Sequence, residues 1–293
     1  MELHDALQRA VYFASLAAQA VLPMRGNLVA NYYKGGNKDQ LVTTADLAVC
    51  ELAKEVFGEA DLVSEETYRG EFGAAVAKMR RDDAFTYVVD EIDGTADFAS
   101  GLTTWGHLVG IVRGGRVVGS VMILPAYFPD FALAVGEPFA VGQQRGIMFV
   151  GAHGKLVSVA PTSAGRPGLL SPYRLPERKS AFVSLSAVET DVATFDYRLG
   201  LLPRSQCSCI ADVAELLLGR TAVASFGSKL WDVAGMWAIL DTLGFQWRRV
   251  GDLASPPEDF TELFNAKFSA KDSWWIGRDE AAIATANAGL RKR

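Results

Sequence analysis

Phe85-Thr86-Tyr87-Val88-Val89-Asp90-Glu91-Ile92-Asp93-Gly94-Thr95 carries most of the information in this chain. Its first five residues, rich in β-branched and aromatic side chains, read as a strand at 85–89. That strand delivers three carboxylates, a glycine and a hydroxyl to one turn. Asp90 and Asp93, three residues apart, can both reach one small cation cluster, and hard cations such as Mg²⁺ prefer oxygen ligands. Gly94 permits close backbone approach. Thr95 places a hydroxyl where the next helix would start, a setting that suits phosphate. A plain Asp-Gly turn with solvated carboxylates is the alternative reading.

Three more acidic positions bear on that choice. Glu65-Glu66 follows a short strand candidate, Asp61-Leu62-Val63. It is either an exposed pair opening a loop or a source of a bridging carboxylate beside Asp90. Asp232 follows Trp231 at the start of an apolar helix. It is either an N-cap or a carboxylate aimed at the site, its charge offset by the helix dipole. Asp46, after Thr43 and Thr44, has the same two readings. Sequence spacing alone does not bring the four together.

Working outward, residues 3–23 repeat apolar side chains at helical spacing and Pro23 follows, which predicts a helix. Residues 28–42 read as extended, with a turn at Gly35-Gly36-Asn37, and Thr43 to Gly58 as a second helix. Residues 68–83 are charged loop or helix. Two strands around Gly114-Gly115 give a hairpin signal at 107–112 and 116–124. Further strands are expected at 130–136, 139–142 and 147–150. Pro161 to Glu177 reads as a loop or domain connection. Beyond it come a strand at 181–186, a helix at 210–218, a strand at 221–226, a helix at 232–243, late strands near 245–247 and 273–277, and a final helix at 279–290. Interleaved helices and strands place the chain in the α/β (α+β layered) class. The expected division is an N-terminal α+β domain, 1–150, holding most of the acidic candidates, and a C-terminal α/β domain, 151–293, carrying Asp232.

The bulk properties exclude some functions. The 293 residues are 49% hydrophobic and 22% charged, ordinary for a globular protein. A net charge of −5 argues against nucleic-acid binding as the main activity, which normally needs a basic face. It leaves room for an anionic substrate, because bound Mg²⁺ reverses the local field. Cys50, Cys207 and Cys209 form no recognisable zinc pattern and read as reduced thiols of a cytoplasmic protein, with no signal peptide and no membrane segment expected. His4, His107 and His153 do not sit in a triad-like setting; His107 reads as a strand residue near the site entrance.

These motifs resemble the inositol monophosphatase family of Mg²⁺-dependent, lithium-sensitive phosphatases. Asp90 to Thr95 matches the family's D-P-[IL]-D-G-T except at Glu91. Ser64-Glu65-Glu66-Thr67 is similar to G-E-E-[ST], Trp231 to Gly235 to W-D-x-A-[AG], and Val42 to Asp46 to V-T-x-x-D. The resemblance implies a sugar-phosphatase, inositol monophosphatase-like αβαβα sandwich and commonly a homodimer. It implies two or three Mg²⁺ ions as cofactor. One would be held by Glu65, Asp90 and the Ile92 carbonyl, a second by Asp90, Asp93 and Asp232, and a third by Glu65 through water. Asp46 and Thr95 would orient and deprotonate the attacking water, with Glu65 also in the catalytic set. Asp93, Gly94, Thr95 and Ser208 would face the substrate, a small phosphorylated alcohol.

Two departures stand inside the motifs. Glu91 replaces a proline, and its side chain is expected to face outward. Ser64 replaces a glycine, with little consequence expected. In the substrate half, Ala224-Ser225-Phe226-Gly227 lacks the glutamate of inositol-specific members, and Cys207-Ser208-Cys209-Ile210 stands for G-S-x-A. Ser100 to Gly106 is similar to the histidinol-phosphate phosphatase branch, although Trp105 reads first as core packing. Inositol monophosphate-like compounds, histidinol phosphate and sugar phosphates are therefore the candidate substrates. The alternatives are a 3′-phosphonucleotide or fructose-1,6-bisphosphate phosphatase, or a catalytically silent relative that binds phosphate compounds or a partner protein.

Overall fold

In the computed structural model, which describes residues 1–26, 30–33, 41–66, 68, 71–127, 145–177, 180–185, 193–205 and 208–292, the first periodic segment is α1 (Leu3–Val21). Its buried face, Ala6, Ala10, Phe13, Ala14 and Ala17, follows the helical repeat. β1 (Ala30–Tyr33) and β2 (Leu41–Thr43) pair antiparallel; the turn expected at Gly35-Gly36-Asn37 lies outside the described residues. α2 (Thr44–Phe57) starts from Thr43, whose side chain caps it, and stops at Gly58, where φ is +77°.

Next come β3 (Leu62–Ser64), α3 (Phe72–Met79), β4 (Thr86–Asp93), α4 (Thr95–Ala99), β5 (Gly106–Arg113), β6 (Arg116–Leu124), β7 (Arg145–Ala152), β8 (Leu156–Ser163), β9 (Arg166–Pro167) and β10 (Ser171–Pro172). They build one sheet in the order β10-β8-β7-β6-β5-β4-β3, with β9 also on β8. β3 and β4 run parallel, with Ser64 opposite Val89. The strands expected at 130–136 and 139–142 lie outside the described residues. The segment from Pro161, expected to be a connection, instead completes β8 and folds back on it as β9 and β10. Pro167 and Pro172 lie on these short marginal strands, where a missing N–H is tolerated, so composition alone resembled a linker.

The rest of the chain contributes β11 (Phe182–Ser184), β12 (Ala193–Phe195), β13 (Leu202–Arg204), α5 (Cys209–Leu217), β14 (Val223–Phe226), α6 (Leu230–Thr242), β15 (Gln246–Arg249), β16 (Trp274–Gly277), α7 (Glu280–Gly289) and β17 (Leu290–Lys292). A second sheet has the order β13-β11-β14-β16-β15.

Layering follows from which faces are apolar. α1 and α2 cover one face of the first sheet through Phe13, Phe57, Tyr87, Val109 and Val121, with the Phe57 and Tyr87 rings stacked at 4.1 Å. The other face meets α6 through Leu108, Met122, Phe149, Trp231 and Met236, and the same core continues through α5 to Phe226 and Trp247 of the second sheet. α7 closes the far face over Val223 and Trp275. The result is the expected α–β–α–β–α sandwich. α6 sits unusually close to β5: a Cβ on Gly110 would lie 2.5 Å from Ala234 Cβ, and one on Gly235 would lie 2.5 Å from Leu108 Cβ. Ser120 Oγ donates to the Ala234 carbonyl at 2.8 Å and accepts from Ala238 N at 3.1 Å. These contacts pin the start of α6, and hence Asp232, over the end of β4. Among the described residues no helix is long and apolar enough to cross a membrane.

Candidate active site

β4 runs further than its apolar residues predict. Asp90, Glu91, Ile92 and Asp93 are all strand, and the turn begins only at Gly94. A bulge between Asp90, opposite Leu108, and Asp93, opposite Gly106, re-aims the side chains there. Gly94 has φ +80°, and a Cβ on it would lie 2.8 Å from the Thr104 carbonyl oxygen, so both conformation and space require glycine. Thr95 opens α4. Its hydroxyl donates to the Ile92 carbonyl at 2.8 Å and lies 3.4 Å from Asp46 Oδ1.

Asp90, Asp93 and Asp232 converge, each with a carboxylate oxygen within 4.8 Å of the others. Three helix starts aim at them. Asp232 is not the N-cap of α6 but stands one turn in, and its Oδ2 accepts from Lys229 N at 2.9 Å. Asp46 has the same place in α2, accepting from Thr43 N at 2.7 Å and Thr43 Oγ1 at 2.6 Å. Each stabilises a helix start through Oδ2, while Asp46 Oδ1 lies near Thr95 and Asp232 stands in the trio. Asp93 Oδ2 accepts from Ser208 Oγ at 2.8 Å and from Ile210 N at the start of α5. The positive ends of these helix dipoles face the acidic centre.

That help is incomplete. Burial, then the neighbouring charges of Glu65, Asp232 and Asp93, hold the Asp90 carboxyl well above the usual range. Burial, then Asp93, raises Asp232 to about 7. Burial raises Asp93 to about 6 against the opposing bonds from Ile210, Ser208 and Cys209. Asp46 is raised by burial to about 6 despite its bonds from Thr43. Glu65 is half-buried at the end of β3, outside the tight cluster but close enough for its charge to raise Asp46, Asp90, Asp93 and Asp232. Among the described residues no lysine or arginine forms an ion pair with Asp90, Asp93 or Asp232. Clustered hard oxygens without a cationic side chain are a donor set that fits Mg²⁺.

The expectations for Glu91 and His107 change. Glu91 does not face outward: it is 1% exposed, and its Oε1 accepts from Ser64 Oγ at 2.6 Å. The parallel register explains this, because the side chain two residues beyond Val89 shares a face with Ser64. Burial raises the Glu91 carboxyl to about 8, against the bond from Ser64. Nor is His107 at an entrance. It is fully buried in β5, its Nδ1–H donates to the Glu91 carbonyl, and burial lowers it to about 4. Ser208 is the N-cap of α5 and is buried, so its hydroxyl meets Asp93 directly. Trp105 is core, packed edge-on against Phe98. Ala224, Ser225 and Phe226 form a buried strand with no carboxylate. Cys207 lies outside the described residues. Cys209 Sγ lies 2.9 Å from Ser228 Oγ and 3.8 Å from Asp232 Oδ2, a placement that no spacing rule signals.

Residues 3–256 match the model of the inositol monophosphatase family. No curated protein sequence matches the chain significantly. Among solved structures, the extragenic suppressor protein suhB from Bartonella henselae is similar with a TM-score of 0.65 at 16% identity, covering 97% of this chain and 98% of that one. The Thermotoga maritima IMPase has a TM-score of 0.62 at 16% identity, over 96% and 95%. A staphylococcal inositol monophosphatase-1, solved as a LiCl-soaked inhibitory complex, has a TM-score of 0.62 at 14% identity, over 100% and 98%. At such identities these structures show a shared fold.

Proposed function

Because the chain belongs to the inositol monophosphatase family, we propose that it is a Mg²⁺-dependent phosphomonoesterase that hydrolyses a small phosphorylated alcohol. The carrying observation is the buried trio Asp90, Asp93 and Asp232, within 4.8 Å of one another. Like charges at that distance, out of water, raise one another's pKa unless a cation joins them. Glu65, Asp90, the Ile92 carbonyl, Asp93 and Asp232 would hold Mg²⁺, which when bound would offset charge on the phosphoryl oxygens and lower the pKa of a water.

The chain's own groups do the rest. Asp46, raised to about 6 by burial, is a proton acceptor suited to neutral pH, and the Thr95 hydroxyl beside it orients the water. The first N–H groups of α4, at Gly94 and Thr95, have no partner within their helix and are assigned to the phosphate with Asp93. Ser208 serves the substrate side by holding Asp93. The absence of a carboxylate at Ala224 to Gly227 counts against inositol monophosphate, and it counts against histidinol phosphate too, whose candidacy rests on Ser100 to Gly106. The proposal includes a cytoplasmic homodimer, with lithium inhibition and no nucleic-acid partner; light scattering that gives the mass of one chain would remove the dimer from it. The first 150 residues are assigned most metal ligands, and residues 151–293 are assigned Asp232 and substrate selection.

A screen of phosphate release over inositol phosphates, histidinol phosphate, sugar phosphates and phosphonucleotides, with Mg²⁺ present, tests the reading. Release from at least one is expected. Silence across the panel would favour a binding protein without catalysis.

A further inference from the structure

The two departures from the family motifs touch each other. Ser64 stands where the resemblance places glycine and Glu91 where it places proline, and Ser64 Oγ donates to Glu91 Oε1 at 2.6 Å inside the protein. Ser64 directly precedes Glu65, and Glu91 directly follows Asp90. We infer that the Ser64–Glu91 hydrogen bond is a positioning brace that ties the ends of β3 and β4 together and fixes Glu65 against Asp90 for Mg²⁺ binding.

The geometry carries this in three ways. β3 and β4 are parallel, and the last backbone contact between them is Glu65 N to the Val89 carbonyl at 3.2 Å. Beyond it β3 turns away while β4 continues to Asp93, so a side-chain link is what joins the two ends at the ligands. By strand alternation the brace lies on the opposite face from Asp90, leaving that carboxylate to meet Asp232. Finally, Glu91 is costly where it stands. It is a buried carboxyl whose Oε2 has no hydrogen-bond partner among the described residues, so packing alone does not explain it. Proline would stiffen this strand end through its fixed φ; glutamate has no such restriction, and the bond to Ser64 supplies the restraint instead.

The inference rests on the metal reading proposed above, and equilibrium Mg²⁺ titration by calorimetry separates the two. The proteins compared are wild type, Ser64→Ala, Glu91→Leu, the double variant and Glu91→Gln, each with its melting temperature measured without metal. Groups that orient metal ligands typically change affinity by about 10–100-fold when removed. Ser64→Ala and Glu91→Leu are each expected to weaken Mg²⁺ binding about tenfold, at the lower end of that range, and the double variant no more than either alone. Glu91→Gln, whose amide oxygen still accepts from Ser64, is expected to stay within about twofold of wild type. The melting temperature of Glu91→Leu should hold or rise, which a purely structural role would not give. If Glu91→Leu fails to fold, Ser64→Ala, which removes one hydroxyl, decides alone. Wild-type affinity in Ser64→Ala, or losses that simply add, would overturn the brace while leaving the metal site standing. A wild-type protein that takes up no Mg²⁺ would overturn both.

Discussion

At the N-terminal end of α5, Asp93 faces Asp90 and Asp232 within 4.8 Å; near the other end, Glu215 meets Tyr127, Arg204 and Arg220. Both places bury carboxylates. Arg204 reaches Glu215 at 2.5 Å and Arg220 reaches it at 2.9 Å. Burial raises Glu215, but the bonds from Tyr127, Arg204 and Arg220 outweigh it and hold the carboxyl below its ordinary value. At the trio, burial and like charge act together and all three carboxyls rise. A buried acid that the protein needs for structure is given its cations by the chain. Among the described residues the trio has no such partner, which is why the proposed function assigns it a metal ion.

The contrast can be broken at either end. The largest effect is expected from Asp93→Asn, which should bring Mg²⁺-dependent phosphate release to near background; unchanged turnover would remove Asp93 from the metal site. At the other end, Glu215→Gln removes the carboxylate that Arg204 and Arg220 share. With both arginines partly exposed, about 2–3 kcal/mol of stability should be lost in a denaturant titration, with phosphate release retained. A loss of Mg²⁺ affinity in that variant would show that the two ends of α5 are not independent.

The pH dependence sharpens the same contrast. Asp93 and Asp46 are raised to about 6 and Asp232 to about 7, from a usual 3.8. Their contribution to stability is fully present below the usual value and is lost as pH rises through the raised ones. Mg²⁺ needs the ionised forms, so its stabilisation should grow over that same interval, reaching about 2.7 kcal/mol when the ion is at 100 times its Kd. His107, lowered to about 4, works the other way, its contribution lost as pH falls below its ordinary 6.5. It cancels when melting with and without Mg²⁺ is compared at each pH. The smallest effect is expected from Asp90→Asn without metal at alkaline pH, where the trio is ionised and losing one of three like charges should raise the melting temperature by about 2–4 °C. A fall in melting temperature there would mean that the trio is not under repulsion.

Much of this was legible in the sequence because local chemistry carried it. Thr43 with Asp46 spelled a helix start, Gly94 a turn with close backbone approach, and Gly114-Gly115 a hairpin, and each stands where its residues predicted. What escaped depended on register and on distant partners. Glu91 reads as a surface residue until β3 is known to lie parallel to β4 with Ser64 opposite Val89. His107 reads as an entrance residue until its Nδ1 is seen on the Glu91 carbonyl. Ser208 lies 115 residues from Asp93, and only the packing of α5 against the end of β4 brings them together. The prolines after residue 160 resembled a linker because an edge strand and a linker tolerate the same residues.

The most direct test of the account follows phosphate release in a single sample as Mg²⁺ is supplied, chelated and restored, using whichever phosphomonoester of the panel reacts fastest. Release with Mg²⁺, its disappearance on chelation, full recovery on re-addition, and none at any stage in Asp93→Asn are expected. Release that persists through chelation, or that survives in Asp93→Asn, would contradict the account.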